Sequence, residues 1–274
     1  MRRFKYRCAF CDQPAKLTKE HLWARWTKQL VRYDDDKHEH TVEVRNPTTV
    51  EKADRIGAGD VRNRGLKIVC GACNGGWMGD LEEQVKPLLT PMILGQYTRL
   101  SPAAQLIVSR WVAMKVAVGE YFDPPRAAVT LAERRAIMND QPLPGWRFWW
   151  GRYNRERSGT QYIHTSMGLH IGSVPYGGDR SRPNLQTTMF IVGELYFNVL
   201  SSADPRLSAW VSLDVDAIGK AVEFPVATNI GWPPGGVLND TAALGFGKAI
   251  WEVYYRSAFS VTESGLLIPP LALD

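Results

Sequence analysis

Residues 70–82 read Cys-Gly-Ala-Cys-Asn-Gly-Gly-Trp-Met-Gly-Asp-Leu-Glu, and the cysteine pair that opens them has a counterpart in Cys8-Ala-Phe-Cys11. Two residues between ligands let a tight turn aim both sulfurs at one metal, and two such knuckles supply the Cys₄ set that structural zinc favours. All four cysteines of the chain are consumed in these matched pairs, which unrelated turns or a redox CxxC would leave unexplained. The 58 residues between the pairs exceed what a compact zinc ribbon needs, so the insertion has other work.

Working outward, the 274 residues with 45% hydrophobic content can bury a substantial core. Of 33 Lys+Arg and 28 Asp+Glu, the first hundred residues hold 18 and 13, leaving 15 and 15 for the rest. The whole positive excess of +5 therefore sits beside the knuckles, where it favours phosphate backbones. No apolar run reaches membrane-spanning length, and Met1-Arg2-Arg3 is not followed by a signal-peptide core. A soluble, cytoplasmic protein is expected. There, cysteines are more useful as thiolate ligands than as disulfides.

Within the insertion, Tyr33 to His40 reads as a charged, solvated loop carrying His38 and His40, and His40 to Val44 as a strand. A polar, Gly-rich stretch follows to Asp60, and Gly65 to Cys70 is a second strand entering the knuckle. After Cys73 a helix is expected to start and to be stopped by Pro87. Ser101 and Pro102 mark the N-cap and first position of another helix that Gly119 ends. Thr130 and Glu133 have capping-box spacing, and Asp240 is placed to cap a helix running through Trp251 to Tyr255. Trp146–Tyr153, Thr160–Ser166, Thr187–Leu200 and Trp210–Val215 are β-rich, with the RERSG stretch read as a hairpin turn between the first two.

The expected fold class is α+β. A zinc-stapled N-terminal domain covers residues 1–95, and an α+β domain with a mainly antiparallel sheet, open to substrate or partner selection, covers 96–274. Trp77, Met78 and the Trp146, Phe148, Trp149, Trp150 cluster are read as core, although aromatic platforms of that kind can also stack bases. His164 and His170 lie on apolar strands and are read as core or surface histidines.

Nine residues after the first knuckle comes Glu20-His21, and directly after the second comes Asn74. Zinc would bring these distant segments together. An acid and an amide offer oxygens to a hard divalent ion, and a neutral imidazole can take a proton from water, which are the needs of phosphodiester hydrolysis. The order CxxC, acid-His, CxxC-Asn resembles the HNH endonucleases. Lys19-Glu-His-Leu-Trp23 with Cys70 to Glu82 is similar to a group of bacterial and phage HNH proteins whose second motif is of the CNxGWM type. The resemblance spans roughly residues 5–90.

It implies a ββα-metal fold stapled by structural Zn²⁺ on Cys8, Cys11, Cys70 and Cys73. It also implies His21 as general base and Glu20 and Asn74 as ligands of a catalytic Mg²⁺ or Mn²⁺, with double-stranded DNA as substrate. Two positions depart from the pattern. The middle Asn would fall at Gly65, with Asn63 two places early, and a Lys common four residues past the last ligand is Met78. The phosphate-facing cation would then come from Lys67, Arg62 or Arg64, with Lys67 first because it lies on the expected strand. A catalytically inactive zinc-stapled nucleic-acid-binding protein and a ribonuclease with the same site are the alternatives.

Overall fold

The computed structural model describes residues 6–31, 63–154, 161–167, 183–205 and 221–246, together with strands and single residues between and beyond these runs. Strand β1 (Leu17–His21) is followed by a 3₁₀ turn (Arg25–Gln29), then by β2 (Lys37–Arg45) and β3 (Val50–Ala58), and β4 (Gly65–Cys70) returns to pair with β1. Residues 37–40, expected in a loop, are part of β2, and the polar stretch after it forms β3, its antiparallel partner from Lys37↔Ala58 to Arg45↔Val50. Nine cross-strand pairs supply backbone bonds that a residue-by-residue reading of polarity does not count. The side chains of His38 and His40 lie outside the described residues.

After β4 the chain turns through α1 (Gly71–Cys73) and a π-type segment (Asn74–Met78) into α2 (Gly79–Ile93). Pro87 does not stop this helix, and neither does Pro91. Each interior proline costs about 3 kcal/mol. Leu81, Val85, Leu89, Met92 and Ile93 are buried along one face, and each such side chain is worth about 1.5–3 kcal/mol, so packing outweighs the two breaks.

Strand β5 (Thr98–Leu100) leads into α3 (Pro102–Gly119), capped by Ser101, whose hydroxyl accepts the Ala104 N–H at 3.2 Å. From Val108 to Gly119 this helix is buried almost all round except at Arg110, which marks it as a central element. The capping box of α4 (Leu131–Met138) is complete: Thr130 accepts from the Glu133 N–H, and the Glu133 carboxylate accepts from the Thr130 N–H.

The large sheet is built from β6 (Trp146–Tyr153), β7 (Gln161–Met167), β10 (Leu185–Val192), β11 (Leu195–Ser202) and β12 (Ala221–Phe224), in the order β12-β6-β11-β10-β7. Short strands β8 (His170–Ile171) and β9 (Val174–Pro175) pair with each other. Strand β13 (Ile230–Trp232) joins β5, and β14 (Val237–Leu238) adds to β6 in parallel. Strands β15 (Ser260–Val261) and β16 (Leu267–Ile268) form a separate pair.

β6 and β7 are therefore not hairpin partners, as the RERSG stretch suggested, because the β10–β11 hairpin lies between them. That hairpin turns at Gly193, whose φ of +58° suits glycine and where a Cβ would lie 2.5 Å from the Ile93 carbonyl. The neighbouring Glu194 N–H donates to that same carbonyl at 3.0 Å, fastening the turn to the end of α2.

Alternation along the strands buries both faces of the sheet. Trp146, Phe148, Trp150, Phe190, Phe197 and Val199 join α2, α3 and the knuckles in one cluster that unites residues from both sides of position 95. Trp149, Tyr153, Met189, Ile191 and Tyr196 join a second cluster with Phe246. The tryptophan run is thus core on two sides rather than a stacking platform. Residues 240–246 are helical, but the cap is Asn239, whose Oδ1 accepts the Ala242 N–H at 2.9 Å. Asp240 instead accepts from the Tyr153 hydroxyl. The expected stretches 210–215 and 251–255 lie outside the described residues.

At the end of α3 Glu120 is 1% exposed, and its carboxylate accepts from Ala128 at 2.8 Å and Val129 at 2.9 Å. Burial nevertheless pushes its carboxyl up to about 8, over those backbone bonds and the pull of Arg134, with Glu133 adding to the rise. His164 on β7 lies 3.8 Å away, its Nδ1 on Thr188 Oγ1, and burial pushes it down to about 4. A carboxyl raised on folding contributes stability that is full below its ordinary value of 4.5 and lost as pH rises toward 8. The His164 shift acts in the opposite sense, but only below its ordinary 6.5. Wild-type protein should therefore lose several degrees of Tm between pH 6.5 and 9, and Glu120→Gln should flatten that decline. Parallel melting curves for the two proteins check it.

Candidate functional site

The two knuckles meet where β1 and β4 pair. Leu17 is opposite Cys70, and the Ala9 N–H donates to the Ile68 carbonyl at 2.8 Å, which lays the first knuckle against β4. The four sulfurs lie within 4.8 Å of one another, and those of Cys11 and Cys70 are 3.8 Å apart. A tetrahedron with Zn–S bonds of about 2.3 Å has edges of about 3.8 Å, so the donor set and spacing fit zinc. Cys73 N–H points to Cys70 Sγ at 3.4 Å, and Phe10 packs edge-on against Trp77 at 5.1 Å, closing the knuckles from below. Burial opposes ionisation of Cys8, but backbone N–H groups of Cys70, Cys11 and Phe10 draw its thiol down to about 7. Among the described residues no other group of three or more His, Cys, Asp or Glu side chains converges in this way.

Register decides where the remaining candidates point. Residues directly opposite on an antiparallel pair share a face, and the pairs are Lys19↔Lys67, Glu20↔Leu66 and His21↔Gly65. His21, Lys19 and Lys67 thus share one face, and Glu20 projects from the other. The His21 ring lies over Gly65, where a Cβ would come 3.3 Å from Nε2. The position at which the HNH pattern has its middle Asn is therefore one where the missing side chain gives the imidazole room. Burial first, then the charges of Arg25, Lys28, Lys115 and Lys19, hold His21 below its ordinary pKa. The ring sits in a cationic setting. Asn63 accepts a hydrogen bond from Lys28.

Glu20 is buried, and its Oε1 accepts from Lys115 Nζ at 2.7 Å. Lys115 also reaches Glu82 Oε1 at 2.6 Å and the His21 carbonyl at 3.0 Å. Lys115 was missed in the sequence, though a lysine inside the apolar run Trp111 to Val118 was a visible signal. Asn74 is not the N-cap of the following helix. Cys70 caps α1 and Met78 stands at the N-cap of α2, whereas Asn74 reaches back to β1, where its Nδ2 donates to Thr18 Oγ1 at 3.0 Å and to the Lys19 carbonyl at 2.9 Å. A carbonyl can only accept, so the amide nitrogen must face β1 and Oδ1 must face away. Thr18, which passes its own hydrogen to the Val69 carbonyl at 3.0 Å, was also not foreseen.

Met78 is 1% exposed and belongs to the core. Lys67 is exposed. Comparison with family models, with curated proteins and with solved structures returns no match for the chain.

Structural zinc supplies on the order of 10–16 kcal/mol of folding free energy, as much as a whole domain's net stability. Serine at Cys8, Cys11, Cys70 or Cys73, or removal of metal by a chelator, should abolish the cooperative thermal transition of this region. Metal analysis should give one zinc per wild-type chain. A serine variant that keeps both transition and zinc would show that the four sulfurs do not act as one set.

Proposed function

We propose that the chain is a metal-dependent endonuclease of the HNH type that hydrolyses phosphodiester bonds in DNA. The observation that carries this reading is the position of the His21 imidazole on a lysine-bearing face of the β-pair that the four converging sulfurs flank. The zinc-stapled arrangement of two strands and a helix, with Asn74 fastened to the strand that bears His21, supports the same reading.

His21 takes the proton from the attacking water, which a depressed pKa keeps it free to do near neutral pH. Lys19 and Lys67 attract the phosphate and favour the negative charge that gathers on it. Asn74 Oδ1 and the Glu20 oxygen that Lys115 leaves over would hold Mg²⁺ or Mn²⁺, since such an ion needs few protein oxygens when phosphate and waters complete its shell. When bound, that ion polarises the phosphoryl oxygens.

One observation favours a second reading, a zinc-stapled nucleic-acid-binding protein without turnover: Glu20 is paired with Lys115 on the face opposite His21. Plasmid DNA incubated with the protein and Mg²⁺ or Mn²⁺ separates the two. Cleavage is expected, and His21→Ala should lower its rate by about 10²–10⁴, the usual worth of a general base, with zinc content and Tm unchanged. Equal cutting by the variant ends the endonuclease mechanism, and tight binding without cleavage by wild type favours the second reading. Single- and double-stranded RNA in parallel lanes test the ribonuclease variant. Lys67→Ala should weaken DNA binding and flatten its dependence on salt by about one phosphate contact, readable from a titration series in KCl.

A further inference from the structure

Lys115 is a cation for which the proposed chemistry has no direct use and which the fold buries, at 2% exposure, in the C-terminal third of α3. An ammonium has three N–H groups, and here each has its acceptor: Glu20 Oε1 at 2.7 Å, Glu82 Oε1 at 2.6 Å and the His21 carbonyl at 3.0 Å. The three acceptors belong to two segments. Glu20 and His21 end β1, and Glu82 lies in the first turns of the helix that continues from Asn74.

Burial alone would drive the proton off, but the carboxylates of Glu82 and Glu20 outweigh it and keep the amine charged. Two carboxylates, the buried one of Glu20 and the partly exposed one of Glu82, face a single buried ammonium, an arrangement that apolar side chains of similar volume often replace at no loss of stability. What apolar side chains would not reproduce is direction: hydrogen bonds to the His21 carbonyl and to the neighbouring carboxylate fix the peptide between them.

We infer that Lys115 is a positioning residue for the site, clamping β1 at Glu20 and His21 to α2 at Glu82 and so setting the direction in which the His21 imidazole projects over Gly65. The inference rests on the reading of His21 as the base. Lys115 itself is on the far side of the strand from the ring and does not touch the reacting atoms.

The test uses the full chain. Lys115→Met alone strands the buried carboxylate of Glu20 and can fail to fold, so it is combined with Glu20→Gln and Glu82→Gln, which removes all three charges together. Lys115→Arg, which keeps the charge but moves the donors, is the second variant. The chain has 5 histidines, so its imidazole ring signals are resolvable by ¹H–¹⁵N NMR, with His21 assigned by its loss in His21→Ala.

In both Lys115 variants, with one zinc per chain and an unchanged melting transition, the His21 ring signals should shift or broaden. In Lys115→Arg kcat should fall at least tenfold while KM for DNA stays within twofold. A folded Lys115 variant whose His21 signals match wild type overturns the clamp, whatever its activity. The expected ring response in the variants, beside a wild type that cuts no nucleic acid, leaves the clamp standing and ends the endonuclease reading instead.

Discussion

Cys11 and Cys70 are 59 positions apart, yet their sulfurs stand 3.8 Å from each other. Closing a loop of that length costs entropy that a single β-pair of five register positions recovers only in part. Four thiol sulfurs packed within 4.8 Å repay little by themselves, whereas four thiolates around one divalent ion repay a great deal. Everything at this end of the molecule follows from that convergence. It sets β1 beside β4, which fixes the face on which His21 lies, and it starts the helical segment from which Asn74 reaches back to β1.

Beneath the staple, the fold sets one charged cluster into an apolar core. α3 is the central helix, packed by the knuckle segment, by α2 and by one face of the large sheet, with Trp111 and Trp23 both edge-on to Phe190. Lys115 on that helix is tolerated there because every N–H it carries finds an acceptor. The large sheet thus has a direct mechanical connection to the residues around His21: it holds α3, and α3 holds Glu20. Glu120, just beyond Lys115 at the C-terminal end of the same helix, is a second buried acid; its carboxylate accepts from backbone N–H groups, and burial raises its carboxyl despite them.

Some of this was legible in the chain itself, and the legible parts share a cause. The Ser101 cap, the Thr130–Glu133 capping box, the extent of β4 and the spacing of the cysteines depend on residues within a turn of one another, so the chemistry is contained in the local string. The misread parts involve distant partners. Pro87 stops a helix in isolation, but five buried neighbours on α2 override it. The stretch after Trp146–Tyr153 reads as a hairpin turn, but a later hairpin occupies the place beside β6. Asp240 has capping chemistry, yet Asn239 one residue earlier has the geometry.

By itself, then, the sequence determined the four sulfur ligands, the acid-His pair, the asparagine after the second knuckle and the α+β character, because each is a matter of residue type and short spacing. Only the tertiary structure decided which way those residues face. A strand turns successive side chains to opposite sides, so the register Glu20↔Leu66 and His21↔Gly65 sends the carboxylate into the core toward Lys115 and leaves the imidazole with Lys19 and Lys67. Neither the partner across the strand nor the lysine 95 positions away is visible until the chain has folded.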